Sequence, residues 1–319
     1  MRVAATRAED ITVADRAMWR AQRAAMEARD EKHTPFGPRP RRWGQFKRLL
    51  IAFRILLRAT RLFEAGMRRA LDVRLVELTL SHPDLPAEFD GYRLLHLTDL
   101  HLDGMPNLDT VIAGLVRGRQ VDLAVWTGDY RWRVHGAHEQ VLPAMAGIVA
   151  AISASDGHYA TLGNHDPVAL ADVLETLGLQ VLANETASIR RGAASLHITG
   201  LDDVHYFYTD MAAAALAQSP AGFKIALVHS PEAAPLAAAA GYALYLCGHT
   251  HGGQVCLPGG TPILTNSALH WRHAKGLWRR GTMIGYTSNG AGTSGLPVRF
   301  FSRGEVTLIT LRSARSEGS

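Results

Sequence analysis

Short clusters of aspartate, histidine and asparagine recur between residues 99 and 251 of this 319-residue chain. Carboxylate, imidazole and amide oxygen without thiolate suit Mn, Fe, Zn, Co or Ni ions and are unlike a structural cysteine–zinc site. One such cluster is ordinary turn chemistry, but five in the same context predict metal binding. The clusters are Asp99-Leu100-His101, Gly128-Asp129, Gly163-Asn164-His165-Asp166, His229 and Gly248-His249-Thr250-His251.

Each cluster follows an apolar or β-branched run that is typical of a strand, and helical patterns lie between these runs. Such alternation predicts α/β layers. In open α/β sheets, ligands bind beyond the carboxyl ends of the strands, which is where the clusters lie. Seven candidate ligands exceed the needs of one tetrahedral ion and suit two ions that share a bridging carboxylate. The predicted strands are Arg93–Thr98, Val121–Thr127, Tyr159–Leu162, Leu196–Thr199, Lys224–Val228, Ala243–Cys247, Met283–Thr287 and Glu305–Leu311.

In their order and context, these motifs resemble those of the calcineurin-like metallophosphoesterase superfamily, over roughly residues 91–254. Over about residues 76–311 the chain is similar to a small bacterial membrane-associated branch of that superfamily. The resemblance implies a layered sandwich of two central mixed β-sheets flanked by helices, here with an amino-terminal helical extension. The stretches that carry the longer resemblance are Gly200-Leu201-Asp202-Asp203, Gly252-Gly253-Gln254 and Gly290-Ala291-Gly292-Thr293 leading into Leu296-Pro297-Val298-Arg299.

The resemblance also implies a role for each residue of the clusters. The implied ligands are Asp99, His101 and His251 for a first ion, Asn164, His229 and His249 for a second, and Asp129 as the bridge. His165 is not a ligand but lies beside the substrate phosphate, with Asp166 positioning its ring. The implied reaction is in-line attack on phosphorus by a hydroxide that bridges the two ions. The identity of the two divalent ions stays open, with manganese favoured.

Three further residues are candidates for substrate binding. Arg131 and Arg133 follow the bridging aspartate closely and can clamp a phosphate or a polar headgroup; the alternative is a solvated loop. His205 opens an aromatic cluster, residues 205–208, that either lines the substrate cleft or covers the sheet.

Charge divides the chain near residue 75. Residues 1–75 hold 18 Lys and Arg against 8 Asp and Glu, whereas residues 76–319 hold 16 against 21. We therefore expect a basic helical extension over 1–75 and a catalytic domain over 76–319. The acidic larger part argues against nucleic acid as a partner. Two cysteines are too few for a disulfide scaffold, and no run of 18 apolar residues predicts a membrane span.

The basic part is predicted to hold two helices. Residues 12–32 are rich in Ala, Arg and Glu, and the proline-rich run 34–40 predicts a linker. Residues 43–67 predict a second helix with a basic stripe, either lying on an anionic membrane surface or docked on the protein. Its apolar positions are Phe46, Leu49, Leu50, Phe53, Leu56 and Leu57, and its basic positions are Lys47, Arg54, Arg58 and Arg61.

The favoured function is a metal-dependent phosphohydrolase at a membrane surface, acting on a phosphoester or pyrophosphate that is lipid-linked. A soluble phosphodiesterase acting on nucleotides and a non-catalytic scaffold of the same fold are the alternatives. The expected location is cytoplasmic and peripherally membrane-associated. Arg41-Arg42 before an apolar run offers a second interpretation, export through a twin-arginine-like signal.

Overall fold

A computed structural model describes residues 6–7, 13–29, 31–40 and 43–314. Its α-helices are α1 Val13–Glu27, α2 Trp43–Ala59, α3 Phe63–Ala70, α4 Leu108–Val116, α5 Leu142–Ala150, α6 Leu170–Thr176, α7 Asp210–Gln218 and α8 Ala234–Ala239. Its strands are β1 Thr6–Arg7, β2 Glu31–Thr34, β3 Gly37–Pro40, β4 Arg74–His82, β5 Arg93–Leu97, β6 Gln120–Val121, β7 Leu123–Thr127, β8 Ser153–Ala154, β9 His158–Thr161, β10 Leu179–Val181, β11 Glu185–Arg191, β12 Ala194–Gly200, β13 Phe223–Leu227, β14 Leu244–Cys247, β15 Gly276–Arg280, β16 Met283–Thr287 and β17 Glu305–Ser313.

Two mixed sheets form the centre of the described part of the chain, as predicted. One has seven strands in the order β1-β11-β12-β13-β14-β16-β15, and the other has six in the order β10-β9-β7-β5-β17-β4. Strands β5, β7 and β9 run parallel in the six-stranded sheet, and β13 and β14 run parallel in the other. These five strands precede the five ligand clusters, so the topology gathers their carboxyl ends.

The apolar side chains sort into three layers. The layer between the sheets holds Leu94 and Val125 from one sheet and Ile198 and Leu246 from the other. A second layer packs α4, α5 and α6 on the outer face of the six-stranded sheet, around the fully buried Trp126. A third packs α7 and α8 on the seven-stranded sheet. Near-continuous burial along the central strands is expected when both faces of a sheet are covered.

The predicted strands are confirmed, with ends that shift by a few residues and one interruption. The run 121–127 is divided at Asp122, whose carboxylate accepts a hydrogen bond of 2.6 Å from the Arg93 amide. Strand β4 was not predicted, although it pairs along its whole length with β17. It crosses residue 75, where the charge balance changes.

The amino-terminal segment departs from the prediction in three places. The helix expected over 12–32 ends at Glu27, and residues 12 and 30 lie outside the described part. The predicted linker is the hairpin β2–β3, which docks when the His33 amide donates to the Tyr206 carbonyl at 2.8 Å. The helix expected over 43–67 is two helices, because Arg61 between them has a left-handed φ of 59°.

Helix α2 is docked on one face and exposed on the other. Leu57 packs with Phe63 of α3 and with Leu296 and Val298 near the carboxyl-terminal end of the chain. Arg54 and Arg58 are exposed, and the side chains of Phe46 and Lys47 lie outside the described residues, as does the Arg41-Arg42 pair. Within the described residues, no helix combines the length and the apolar character that crossing a bilayer requires.

Candidate metal centre

The predicted ligands converge because the chain turns sharply at each strand end. Asp99, His101, Asp129, His249 and His251 all have left-handed backbone angles, with φ of 51°, 44°, 57°, 71° and 52°. Such angles are strained for residues other than glycine, and they persist where the surrounding structure enforces them, commonly at functional sites. The strain is therefore concentrated on the residues that the sequence marks as ligands.

Two motif glycines allow the loops to approach each other. A Cβ atom on Gly163 would lie 2.2 Å from Asp129 Oδ1, and one on Gly248 would lie 2.0 Å from Asp99 Oδ2. Any side chain at either position would push a predicted ligand away. The glycines that precede Asn164 and His249 are therefore part of the site's construction.

The first set of donor atoms lies at the ends of β5, β7 and β14. Asp99 Oδ1 is 3.4 Å from His251 Nε2, and His251 Nε2 is 3.3 Å from His101 Nε2. His101 Nε2 is in turn 3.4 Å from Asp129 Oδ2. All four side chains are buried.

The second set shares one atom with the first. Asp129 Oδ2 is also 3.4 Å from His229 Nε2. That nitrogen is 3.2 Å from Asn164 Oδ1 and 3.2 Å from His249 Nδ1. A single carboxylate oxygen thus lies equally far from a donor of each set.

These spacings fit bound metal ions. Ligands held about 2.0–2.2 Å from one ion, at angles near 90–110°, lie roughly 3.0–3.5 Å from each other. Among the described residues, Asp99 Oδ1 is buried and has no hydrogen-bond partner. A buried carboxylate oxygen without a donor is costly unless a cation serves it. The donor chemistry and this unpaired oxygen both fit a divalent ion.

Backbone carbonyls orient three of the histidine rings. His101 Nδ1 bonds the Arg131 carbonyl at 2.8 Å, and His229 Nδ1 bonds the Thr127 carbonyl at 2.8 Å. His249 is turned the other way, with Nε2 bonded to the Asn266 carbonyl at 2.7 Å. Because a carbonyl only accepts, each bonded nitrogen carries the proton and the other presents a lone pair to the site.

Burial also sets the protonation of the donors. It lowers the pKa of His101 to about 3 and holds the pKa values of His249 and His251 well below their usual range. Burial opposes charge on His229 and Asp129 too, but their mutual attraction prevails, so the pKa of His229 is raised and that of Asp129 lowered. Near neutral pH, His101, His249 and His251 are therefore neutral and the Asp129 carboxylate is ionised, which is the form that binds metal. His229 holds a proton that must leave before its Nε2 can bind an ion.

The structure corrects the expected role of Asp166. Its carboxylate does not orient the His165 ring but accepts backbone N–H bonds from Asp129 at 2.7 Å, Tyr130 at 3.0 Å and Gly163 at 2.8 Å. The His165 ring is oriented through Nδ1, which bonds the Trp132 carbonyl at 2.7 Å. Asp166 therefore ties the loop after β9 to the loop after β7.

The structure also corrects both interpretations of Arg131, since it is neither a phosphate clamp nor solvated. It is 2% exposed, and its guanidinium donates to the carbonyls of His165 at 2.8 Å, Gly136 at 2.9 Å and Val134. Those bonds use its donors within the protein. Arg133 is exposed, and phosphate binding by this residue stays a prediction.

His205 does not have a nitrogen to offer a substrate. Its Nδ1 bonds Glu232 Oε2 at 2.9 Å, and its Nε2 lies 2.7 Å from Lys32 Nζ. Its ring centroid is 4.0 Å from that of His249. The prediction of direct substrate binding by His205 is therefore replaced by contact with a candidate ligand.

Sequence reasoning missed two buried arginines that support the ligand loops. Arg299 donates to the His251 carbonyl at 3.0 Å, and burial lowers its pKa to about 10. Arg23 of α1 donates to the Asp166 carbonyl at 2.7 Å. Arg299 stands in a stretch that carries the family resemblance, which was an available signal. No pattern marks Arg23, because its partners here are backbone atoms.

Two clefts open beside the site. The larger, of about 350 Å³, reaches from His165 and His251 to an apolar wall. The smaller, of about 210 Å³, lies on the other side of Asn164 and His165 and includes Glu27. The apolar wall consists of Leu49, Leu50 and Phe53 of α2 with Ile263 and Leu264.

Comparison with known proteins gives consistent matches. A model of the calcineurin-like phosphoesterase family matches residues 92–253. The uncharacterized metallophosphoesterase YkuE of Bacillus subtilis is 30% identical over 78% of this chain and 90% of its own length. The phosphodiesterase YaeI of Escherichia coli is 27% identical over 69% of this chain and 82% of its own length. The solved NAD nucleotidase of Haemophilus influenzae aligns with a TM-score of 0.41 and 17% identity, over 63% of this chain and 50% of that protein, so the chain spans about half of it.

Proposed function

We propose a substrate class for this chain, which belongs to the calcineurin-like phosphoesterase family and is a metal-dependent phosphoester hydrolase. In this proposal the chain uses two divalent ions to cleave a lipid-linked phosphoester or pyrophosphate at a membrane surface. The observation that carries the two-ion proposal is the position of Asp129 Oδ2, 3.4 Å from His101 Nε2 and 3.4 Å from His229 Nε2. Manganese is the favoured ion.

In this proposal each ion takes three ligands of its own and shares Asp129. The first would be held by Asp99, His101 and His251, and the second by Asn164, His229 and His249. When bound, such ions polarise phosphoryl oxygens and lower the pKa of water enough to supply hydroxide near neutral pH. The protein contributes a fixed arrangement of donors, so no reorganisation of the site is needed during reaction.

His165 is the residue proposed to act on the substrate. Its Nδ1 proton is held by the Trp132 carbonyl, which leaves Nε2 directed to the site, 3.9 Å from Asp129 Oδ2. The ring borders both clefts. When the ring is protonated on both nitrogens, Nε2 can donate a hydrogen bond to a phosphoryl oxygen or pass its proton to the leaving oxygen.

The apolar wall of the larger cleft supports a lipid-linked substrate. Leu49, Leu50 and Phe53 stand beside the same cavity as His165 and His251, so a phosphate at the site has apolar surface within reach. The exposed side of α2 supports the proposal of membrane binding, because Ile51 and Ile55 are 51% and 63% exposed and lie among exposed arginines. Basic amphipathic helices of this kind bind anionic interfaces.

The test uses purified full-length protein, stripped of metal and reloaded with Mn²⁺. It is assayed on a diester, a monoester and a lipid pyrophosphate, with and without anionic vesicles. We expect metal-dependent turnover of the lipid substrate that rises on vesicles. Turnover of a soluble nucleotide diester that does not change when vesicles are added would instead identify a soluble phosphodiesterase. Two bound ions without turnover of any substrate would identify a scaffold.

Two variants separate metal binding from proton transfer. Asp129→Ala is expected to abolish paired binding of Mn²⁺, because it removes the shared oxygen. His165→Ala is expected to keep both ions and to lose about 10²–10⁴-fold in rate, the usual contribution of a positioned acid or base. Ion stoichiometry from titration calorimetry and kcat on the diester report the two effects. Unimpaired turnover by His165→Ala would refute its assignment.

A further inference from the structure

Helix α1 presents three side chains to the loops at the metal centre. Trp19, Arg23 and Glu27 are spaced four residues apart, which places them on one face of the helix. They contact two loops, residues 163–168 after β9 and residues 202–207 after β12. The first loop carries a proposed ligand and the proposed acid.

Arg23 holds the first loop on both sides of these residues. Its Nη2 donates to the Gly163 carbonyl at 3.2 Å and to the Asp166 carbonyl at 2.7 Å. Between these two carbonyls stand Asn164 and His165. One guanidinium nitrogen thus ties together the ends of the tetrapeptide that contains both site residues.

The rest of the guanidinium is held just as fully. Nη1 donates to Asp202 Oδ1, and Nε donates to Glu27 Oε1 at 3.0 Å. The group lies 3.5 Å from the centroid of the Phe207 ring, and Arg23 is 1% exposed. Glu27 Oε1 also accepts from the Val168 amide at 2.7 Å, which fixes the far end of the loop.

This arrangement requires a planar fork and not merely a charge. The three nitrogens of Arg23 serve two carbonyls and two carboxylates in fixed directions. A lysine ammonium is a compact point charge on a flexible stem and cannot reach all of these partners at once. The matched residue on the same helix is Arg20, which is half-buried and pairs with the exposed Asp172.

We propose that Arg23 is a positioning residue for the metal centre: it sets Asn164 and His165 in place, so that the amino-terminal helix is needed to complete the second donor set. The proposal rests on the proposed function for the role of Asn164 as a ligand. Its first consequence is local, since the loop 163–168 loosens when Arg23 is changed. Its second is that the ion at Asn164 is weakened while the ion at Asp99 and His101 is spared.

The test compares Arg23→Ala, Arg23→Lys and the control Arg20→Ala in the full-length chain. Hydrogen exchange of the peptide covering 163–168 is measured by mass spectrometry in metal-stripped protein. We expect faster exchange in both Arg23 variants and unchanged exchange in the control. Should Arg23→Ala fail to fold, Arg23→Lys decides, because it keeps a cation opposite Asp202.

Mn²⁺ titration of the same proteins gives the second measurement. We expect one ion, the one proposed to bind Asn164, to lose about 10–100-fold in affinity in the Arg23 variants while the other keeps its affinity, since removing a group that orients a ligand usually has an effect of this size. We expect kcat to fall more than KM changes. Exchange and affinity at the wild-type level in Arg23→Lys, or equal weakening of both ions, would overturn the proposal. A wild-type chain that binds one ion would refute the two-ion function, while the exchange measurement would still decide the role of Arg23.

Discussion

Helices α1 and α2 belong to the same basic segment but meet the catalytic part in opposite ways. On α1 the buried face combines an aromatic side chain with a charge, and Trp19 and Arg23 are 2% and 1% exposed. On α2 the buried face is apolar, and Ile51 and Ile55, at 51% and 63% exposed, leave a second apolar face outside. The first helix braces the site, and the second borders the cleft beside it.

The excess of basic residues in 1–75 therefore does not mean that this segment has a single function. Arg23 is desolvated among two carbonyls and two carboxylates, and a charge so placed fixes geometry. Arg58 is exposed above the Phe63 ring, 5.2 Å from its centroid, where it remains available to an anionic surface. Both arginines contribute equally to the excess of basic residues in 1–75, yet their environments differ.

The largest expected effect comes from breaking the buried charge pair of α1. Asp202→Ala removes the buried carboxylate that both Arg23 and Trp19 bond, leaves Arg23 with the half-buried Glu27, and is expected to lower the free energy of unfolding by about 3–5 kcal/mol. Asp172→Ala removes the exposed partner of Arg20 on the same helix and should cost less than about 1 kcal/mol. Guanidinium unfolding of both variants measures the difference. Equal costs would mean that α1 is held no more firmly than a surface helix.

Acid is expected to lower the free energy of unfolding through a third region, the layer between the two sheets. His96 lies between the sheets with Nε2 on Thr127 Oγ1 at 2.8 Å, and burial lowers its pKa to about 3. The unfolded chain therefore binds this proton first, and stability is full above pH 6.5 and falls as the pH drops toward 3. Between pH 7 and 5 the loss from one such group is about 2 kcal/mol.

The measurement is urea unfolding of chelator-treated protein at both pH values. His96→Gln cannot take up the proton, so its unfolding free energy should change less over this interval than that of the wild type, by about 2 kcal/mol. Parallel pH curves for the two proteins would show that acid acts elsewhere, and α1 with its buried carboxylates would then be the region to test.

The centre of the fold could be predicted because its signals are local. Apolar runs give the strands, and residues such as Asp99 and His251 stand directly after them. The packing of α1 could not be predicted, because Arg23 bonds the carbonyls of Gly163 and Asp166, and a carbonyl carries no residue identity. For the same reason Asp166 was assigned to the wrong partner, since its carboxylate bonds three amides.

The predictions for the amino-terminal elements were wrong for a different reason. Prolines in 34–40 end a helix, but they are also compatible with an edge strand that lacks donors, and only the docking on residues 206–208 selects the hairpin. The break after α2 depends on the left-handed backbone of Arg61, a conformation that arginine does not favour on its own. Tertiary contacts decide both, and no window of sequence contains them.

The smallest expected effect tests the exposed face of α2. Ile55→Glu should weaken binding to phosphatidylglycerol vesicles by about tenfold, or ~1.4 kcal/mol, because it removes an apolar side chain and adds a negative charge. The unfolding free energy should stay within about 0.5 kcal/mol, since Ile55 is 63% exposed. The matched control is Met18→Glu, which changes an apolar residue of α1 that is 53% exposed. Vesicle sedimentation at low and high salt compares the two variants. Equal weakening of binding by both would mean that both helices contact the membrane. The distinction between α1, which supports the site, and α2, which contacts the surface, would then be wrong.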